Sequence, residues 1–599
     1  MIDKLLYAAA HYFALLLFLG ASWGIGRTVL RRLDRGAAQS EADGALPWHG
    51  IAAAFGIGLY IYAMQLLAVA GQLRLIPVAA TLVLGLCLCV LEWRALPARS
   101  GPSMTQRWHA ANWTERGTLL LFALLLLPTL IDPLGPPLAW DEVQSHLPHA
   151  LQWVLNGRLG VNDWLRTPWH PFNTNLLFSA AMIVYDDVMP HLINALAAWL
   201  CAALVYLAGK RYAGQSIATI AAIILLSLVR NEFDGAMLDT SVMLFVFAGC
   251  LAFHQWQQQP QRGVLLAAAA FLLGVAAGSK YQALQVLPLM AVALLIRTRA
   301  PRNWLIATVS LLLPCAYWYV RNYVMTGDPF NPIGGKVFGF SDWNLADYQF
   351  QIEDVKRNAG MPSWVIWPAL LAPLIAKVRR LPGAPGAMIF AGTGLAVWLL
   401  TSRYPRYLMP FYPVLALLAA AVWHCLFVTV CSRFGGGSQS RLQSRAAAAC
   451  IIVALLAVLP FALKRGGKSW KMVAPTAVAR EAILQREITG YPVLAYLREH
   501  PMGRTYQFGL EESLYYAPQR TGGDHFGPGR YRDFGGLAPA DLSKALRHAG
   551  YSSLLIHTER WPGISTQPGF AQFFRLVHQA GPVSLYQIGE PLAKERVDQ

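Results

Sequence analysis

Charge is scarce in this chain. Asp, Glu, Lys and Arg make up 14% of its 599 residues, against roughly 25% in an ordinary soluble domain. Beside a hydrophobic content of 55%, that scarcity excludes a soluble enzyme and a disordered chain. Cysteine is sparse too. The eight cysteines, at 87, 89, 201, 250, 315, 425, 431 and 450, fall in or beside apolar runs. None lies in a long polar stretch, which argues against a disulfide framework. Cys87 and Cys89 form C-x-C inside an apolar run and read as packing, because a metal would need further ligands. Phosphate-loop fingerprints are missing: no G-x-G-x-x-G follows a strand, and no P-loop occurs. Internal repeats and low-complexity tracts are missing as well, apart from a short linker at Gly435–Ser440.

What the chain has is long apolar runs. They predict about fourteen membrane helices, near 4–26, 49–71, 76–93, 117–133, 190–209, 214–230, 236–254, 263–279, 282–296, 303–320, 362–378, 386–401, 407–428 and 446–463. Runs of this kind must be helical, since hydrocarbon offers no partner for unpaired backbone groups. The net charge of +17 then reads as topology and not as a nucleic-acid footprint. Twenty Lys and Arg residues, among them Arg27, Arg31, Arg35, Arg99, Arg211, Arg262, Arg297 and Arg380, crowd into seven short loops. The positive-inside rule places those loops in the cytoplasm. The N-terminus, the loops 134–189 and 321–361 and the tail from 464 are then exterior. The start Met1-Ile2-Asp3-Lys4 lacks a basic n-region, so the first run reads as a retained helix and not a cleaved signal.

The tail changes composition. Asp541–Gly550 and Phe570–Ala580 read as helices; Arg504–Leu510, Tyr551–His557 and Val583–Ile588 read as strands. The expected fold is an all-α polytopic membrane protein with a small C-terminal α/β domain. The glycine-rich stretches Gly522-Gly523-Asp524 and Gly527-Pro528-Gly529 read as surface loops, and Asp524, His525 and His557 give no recognisable triad.

The exterior loops hold the chemistry. Asp141 and Glu142 follow a membrane helix. His149–Leu159 has helical spacing, and the stretch Leu176–Tyr185, too short to span, is expected along the membrane interface. Under such a cap, a carboxylate suits general-base work on an attacking hydroxyl. Asp239 lies at the exterior start of a helix, where both function and favourable helix-dipole placement fit. Lys280, Arg321, Arg403 and Arg406 are exterior against the positive-inside trend. A buried phosphate would explain them; snorkelling or interfacial anchoring is the alternative. His146 and His149, spaced i, i+3, are too little for a metal site.

These segments, in this order and on one side, resemble the membrane-embedded GT-C glycosyltransferases, which include protein O-mannosyltransferases and lipid A aminoarabinose transferases. The likeness rests on Asp141-Glu142, the loop 143–186, Asp239, Gly278-Ser279-Lys280-Tyr281, the run from Trp318-Tyr319-Val320-Arg321-Asn322 to Pro332, and Arg403-Tyr404-Pro405-Arg406-Tyr407. Asp328 stands where Asn is usual. The likeness spans about 117–463 and leaves three N-terminal helices outside. The chain thus divides into N-terminal helices 1–116, a catalytic membrane domain 117–463 and an exterior domain 464–599. The resemblance implies a polyprenyl-phosphate sugar donor and a glycan, lipid or protein hydroxyl as acceptor, at the periplasmic face of a bacterial inner membrane. It implies Asp141 as general base with Glu142 as alternative or helper, and Asp239 positioning the acceptor or Asp141's neighbours. Lys280, Arg403, Arg406 and Arg321 would hold the phosphate, with His146, Tyr281 and Asn322 on substrate. Neither a cofactor nor a metal is expected, and no nucleic acid. A secondary transporter or lipid flippase, and an O-antigen-ligase-like enzyme using a pyrophosphate-linked glycan, are the competing readings.

Overall fold

The structure, a computed structural model, describes residues 1–34, 47–96, 104–434, 439–527 and 529–589. Arg35, Arg99, Pro528 and residues 435–438 of the linker lie outside the described residues. Thirteen of the fourteen predicted spans fold as α-helices. In chain order the helices of the membrane part are Ile2–Leu33 (α1), Pro47–Val69 (α2), Leu75–Arg94 (α3), Trp113–Ile131 (α4), Leu147–Asn156 (α5) and Asn173–Val184 (α6). Then come Met189–Tyr212 (α7), Gln215–Leu228 (α8), Asp239–Gln258 (α9), Gly263–Ala277 (α10), Leu287–Arg297 (α11) and Pro301–Thr326 (α12). Ala384–Leu400 (α13), Tyr412–Phe434 (α14) and Gln439–Met472 (α15) close the bundle, and the further helices Met104–Ala110, Gly335–Phe338, Leu345–Arg357 and Ala376–Arg379 lie in its loops. Among the described residues eight helices are long and apolar enough to cross a bilayer, as a multi-pass membrane protein requires. The predicted span 362–378 is instead the 3-10 helix Trp364–Leu374. Pro368 and Pro373 explain it: each removes a donor and crowds the preceding turn.

Small residues let the first helices meet. A Cβ added at Gly56 would collide with the Ser22 carbonyl, and one at Gly26 with the Ala52 carbonyl, so α1 and α2 touch backbone to backbone. The N-terminal trio, set apart in the sequence-based division, packs into the common core: α2 lies against α6, α7, α9 and α10. Two basic residues expected as free orientation signals are used otherwise. Arg27 is buried and pairs with Glu92 of α3, whose other oxygen lies 3.1 Å from Arg31. Arg262 pairs with Asp34.

Two contacts fix which ends lie together. Lys4 Nζ donates to the Trp470 carbonyl at 2.7 Å, and His11 lies 2.9 Å from Asp186. The start of α1, the end of α15 and the loop 134–189 therefore share one end of the bundle. Inside that loop, α6 differs from expectation. Its residues Asn173–Ala181 are buried, so it is enclosed by other helices and is not laid on an interface.

The last membrane helix runs on to Met472, past the expected boundary at 463. The tail then folds as helices Ala477–Glu487 (α16), Tyr491–Glu499 (α17) and Pro539–His548 (α18) around strands Thr505–Phe508 (β1), Ser553–His557 (β2), Phe574–Ala580 (β3) and Val583–Ile588 (β4). The sheet order is β1-β2-β4-β3, with β1 and β2 parallel and the other pairs antiparallel. The expected helix over Phe570–Ala580 is a single turn, Phe570–Phe573, followed by β3. Pairing with β4 decides that segment, since strand preference depends on cross-strand neighbours. Alternation sends Tyr506, Phe508, Leu554 and Ile556 to one buried face and Leu555, Val583 and Leu585 to the other. That second face also takes Val143 from the loop beside Asp141.

Candidate functional site

The chain leaves α4 through the 3-10 turn Asp132–Leu134 and re-enters helix at a wide π-helical turn, Glu142–His146. Wide turns of this sort often mark functional sites. This one sends four consecutive side chains to four places. Asp141 forms an ion pair with Arg406, and both side chains keep about a fifth to a quarter of their surface open (24% and 21%). Glu142 is wholly buried and accepts from the backbone N–H groups of Leu138, Ala139 and Ala236, and it pairs with His191 at 2.7 Å. Val143 enters the core of the tail. Gln144 donates to Asp524 at 2.9 Å.

A second ion pair lies beside the first. Lys280 Nζ sits 2.7 and 2.8 Å from the two oxygens of Asp239. Asp239 is the first residue of α9, and Lys280 follows the end of α10. The carboxylate is thus committed to a cation and not to capping its helix. Tyr407 joins the pairs: its ring centre is 5.3 Å from the Lys280 ammonium and 6.0 Å from the Arg406 guanidinium, while Tyr404 lies 4.8 Å from Arg406. Cations over aromatic faces gain attraction when desolvated.

Electrostatics couple the cluster. Burial is the largest influence on Asp141 and opposes its ionisation, but Arg406, His146 and Lys280 together outweigh it and hold the carboxyl below the usual range. Burial pushes His146 down to about 4, so it is neutral at pH 7. Its Nδ1 and the Arg406 Nε are buried without a hydrogen-bond partner among the described residues. Buried polar atoms are normally satisfied, so a ligand oxygen or hydroxyl would complete both. Glu232, which sequence reading passed over, belongs here too. Burial, then the nearby Asp239, raises its carboxyl to about 7. It stands in an irregular turn before α9 with no motif around it, so no sequence signal marked it.

The remaining sequence candidates are placed elsewhere. Arg403 is exposed, at a left-handed φ of 49°, and makes no ion pair among the described residues. Arg321 donates to the His170 carbonyl at 3.2 Å and stacks on Trp318 at 4.9 Å. Asn322 donates to the Trp169 carbonyl at 2.6 Å and to the Tyr281 hydroxyl at 3.1 Å, and that hydroxyl donates to the Asn331 carbonyl at 3.0 Å. Tyr281, Arg321 and Asn322 thus knot the segment 168–170 to α12. His149 meets the Arg166 carbonyl at 3.2 Å and Asn162 at 3.1 Å, so it does not share a site with His146. Among the described residues no three His, Cys, Asp or Glu side chains converge as a metal site would need. The glycine-rich tail loop is no surface feature. Asp524 is buried and takes both Gln144 and Arg166, and Arg166 lies between the rings of Trp140 at 4.9 Å and Phe526 at 4.6 Å.

A family model described as SF2091/S2213 matches residues 479–587, within the tail. An uncharacterized protein of Shigella flexneri, SF2092/S2214, is 28% identical over 140 residues, covering 21% of this chain and 75% of that protein. A second, SF2093/S2215, is 35% identical over 83 residues, covering 13% of this chain and 42% of its own length. Among solved structures the chain is similar to ArnT from Cupriavidus metallidurans bound to undecaprenyl phosphate, with a TM-score of 0.47 and 16% identity over 80% of this chain and 100% of that one. It is also similar to the Archaeoglobus fulgidus oligosaccharyltransferase tethered to an acceptor peptide, with a TM-score of 0.45 and 12% identity over 76% and 70% of the two chains.

Proposed function

We propose that this chain is an inverting glycosyltransferase of the GT-C type, moving a sugar from a polyprenyl-phosphate donor to a hydroxyl acceptor at the periplasmic membrane face. The observation that carries the reading is the joint ion-pair cluster of Asp141–Arg406 and Asp239–Lys280. It gathers one carboxylate with open surface and two cations from distant segments at one end of the bundle. All four residues sit at helix ends, whereas a transporter would carry such charges near mid-membrane.

The chemistry follows from the pairing. A donor phosphate competes for Lys280 and Arg406, the two cations that otherwise neutralise the acids. Drawing Arg406 away lets the Asp141 carboxyl rise from its depressed range and become a better base. Asp141 then takes the proton of the acceptor hydroxyl. That oxygen attacks the anomeric carbon from the face opposite the phosphate, the bond to the phosphate breaks, and polyprenyl phosphate leaves with its charge held by the two cations. Glu142 cannot share the role of base, because protein donors already occupy its oxygens. It positions the turn instead.

The test is transfer from a panel of polyprenyl-monophosphate sugars by purified full-length protein. Asp141→Asn is expected to lose roughly 10²–10⁴-fold in kcat while still folding, as a cooperative melting transition would show. Full transfer by that variant, or transfer only from pyrophosphate-linked donors, defeats the reading.

A further inference from the structure

At the end of the bundle away from the charge cluster, a cavity of about 250 Å³ opens between α7, α9, α11, α13 and α14. Its walls are apolar, with Phe247, Leu251, Met290, Phe390, Val414 and Leu417 among them. Along α9 it begins at Phe247 and ends at Gln257. At the helical rise this is about 15 Å, half the thickness of the hydrocarbon core and therefore one leaflet. Phe247 itself lies eight residues below Asp239, or about 12 Å along the helix, so the cavity leads away from the proposed reaction centre.

Polar groups gather at its far end. Tyr212 and His254 meet edge to face with ring centres 5.2 Å apart. Gln257, one turn on, receives the Arg297 guanidinium on its carbonyl at 2.8 Å. The surrounding rim is basic. Lys210 and Arg211 close α7, Arg297 closes α11, and Lys377, Arg379 and Arg380 precede the lining residue Leu381; all six are exposed. No Asp or Glu occurs in 188–231, 240–327 or 355–480, the stretches that supply every lining segment. Orientation signals alone account for basic loops. They do not account for a leaflet-deep apolar cavity that opens onto them.

We propose that this cavity holds one acyl chain of an anionic phospholipid from the leaflet on the basic side, with the lipid phosphate among Arg211, Arg297 and Arg380. The apolar walls take the chain, the cationic rim selects the head group, and the lining segments carry no acid to repel it. The site is separate from the proposed glycosyl transfer and stands or falls without it.

The test is native mass spectrometry of the full-length protein from micelles containing phosphatidylglycerol, phosphatidylcholine or a polyprenyl phosphate. Wild type is expected to retain phosphatidylglycerol over phosphatidylcholine of the same chains. Replacing Arg211, Arg297 and Arg380 by Gln, all exposed, should cost about fivefold in retention per charge removed. Filling the cavity with Ala387→Phe should remove phospholipid retention of both kinds. Equal retention of the two phospholipids by wild type overturns the proposal, and so does unchanged phosphatidylglycerol retention in the triple-Gln variant. Retention of the polyprenyl phosphate alone, lost on Ala387→Phe, also overturns it, by assigning the cavity to an isoprenoid chain.

Discussion

A carboxylate serves as a base only where an oxygen is free to take a proton, and Asp141 and Glu142 divide on that point. Adjacent in sequence and alike in chemistry, they are separated by the wide turn they share, which turns one toward the charge cluster and the other into the interior. Glu142→Gln puts an amide N–H against backbone N–H donors. Each charge-assisted bond so lost is worth roughly 1.5–3 kcal/mol, so a lowered melting temperature is expected in calorimetry, before any kinetic effect is considered. In the tail, burial opposes ionisation of Glu511, yet hydrogen bonds from His525, its own backbone N–H and Tyr531 hold its carboxyl at about 2. The folded value lies below the ordinary 4.5. Its stabilisation is therefore complete above that pH and is lost as the pH falls toward 2. Hydrogen-exchange protection of β1 and β2 in the full-length protein should decline over this window, and Glu511→Gln should flatten the decline.

Between elements, buried ion pairs act where sequence suggested free charge. Arg27 and Glu92 join α1 to α3 at the end of the bundle opposite the cluster. Removing one partner of a buried pair leaves a desolvated charge, at a cost of roughly 3–5 kcal/mol. Glu92→Gln is expected to lower thermal stability by that amount, whereas exposed Arg32→Gln should leave it unchanged; equal effects would deny the pair its role. The α1–α2 contact through Gly26 and Gly56 belongs to the same scale. Both glycines were visible in the sequence, but only the facing carbonyls explain them. The 3-10 segment Trp364–Leu374 and the strand β3 mark where hydropathy and periodicity were insufficient. Two internal prolines decided the first, and pairing with β4 decided the second.

In the whole molecule, the tail reaches back to the turn beside Asp141. Val143 sits in the tail's core, Asp524 binds Gln144 and Arg166, and Arg530 lies 3.5 Å from Asp347 of the second exterior loop. Asp524→Asn weakens the hold on Arg166 without touching Lys280 or Arg406. A lower kcat with unchanged donor KM is expected in steady-state transfer assays; a rise in donor KM alone would place Asp524 in donor binding. The sequence by itself determined the helical membrane architecture and the α/β tail, and it named Asp141, Asp239, Lys280 and Arg406 among its candidates. Hydropathy and charge against the orientation trend are local properties, legible one segment at a time. Tertiary structure decided which candidates meet. It joined Arg406 to Asp141 and Lys280 to Asp239, added Glu232, left Arg403 exposed, and tied Glu142, Tyr281, Arg321 and Asn322 to neighbouring segments. Those choices depend on the direction each side chain takes from its turn and on which partners have already used its polar atoms, and both are set only when distant segments pack.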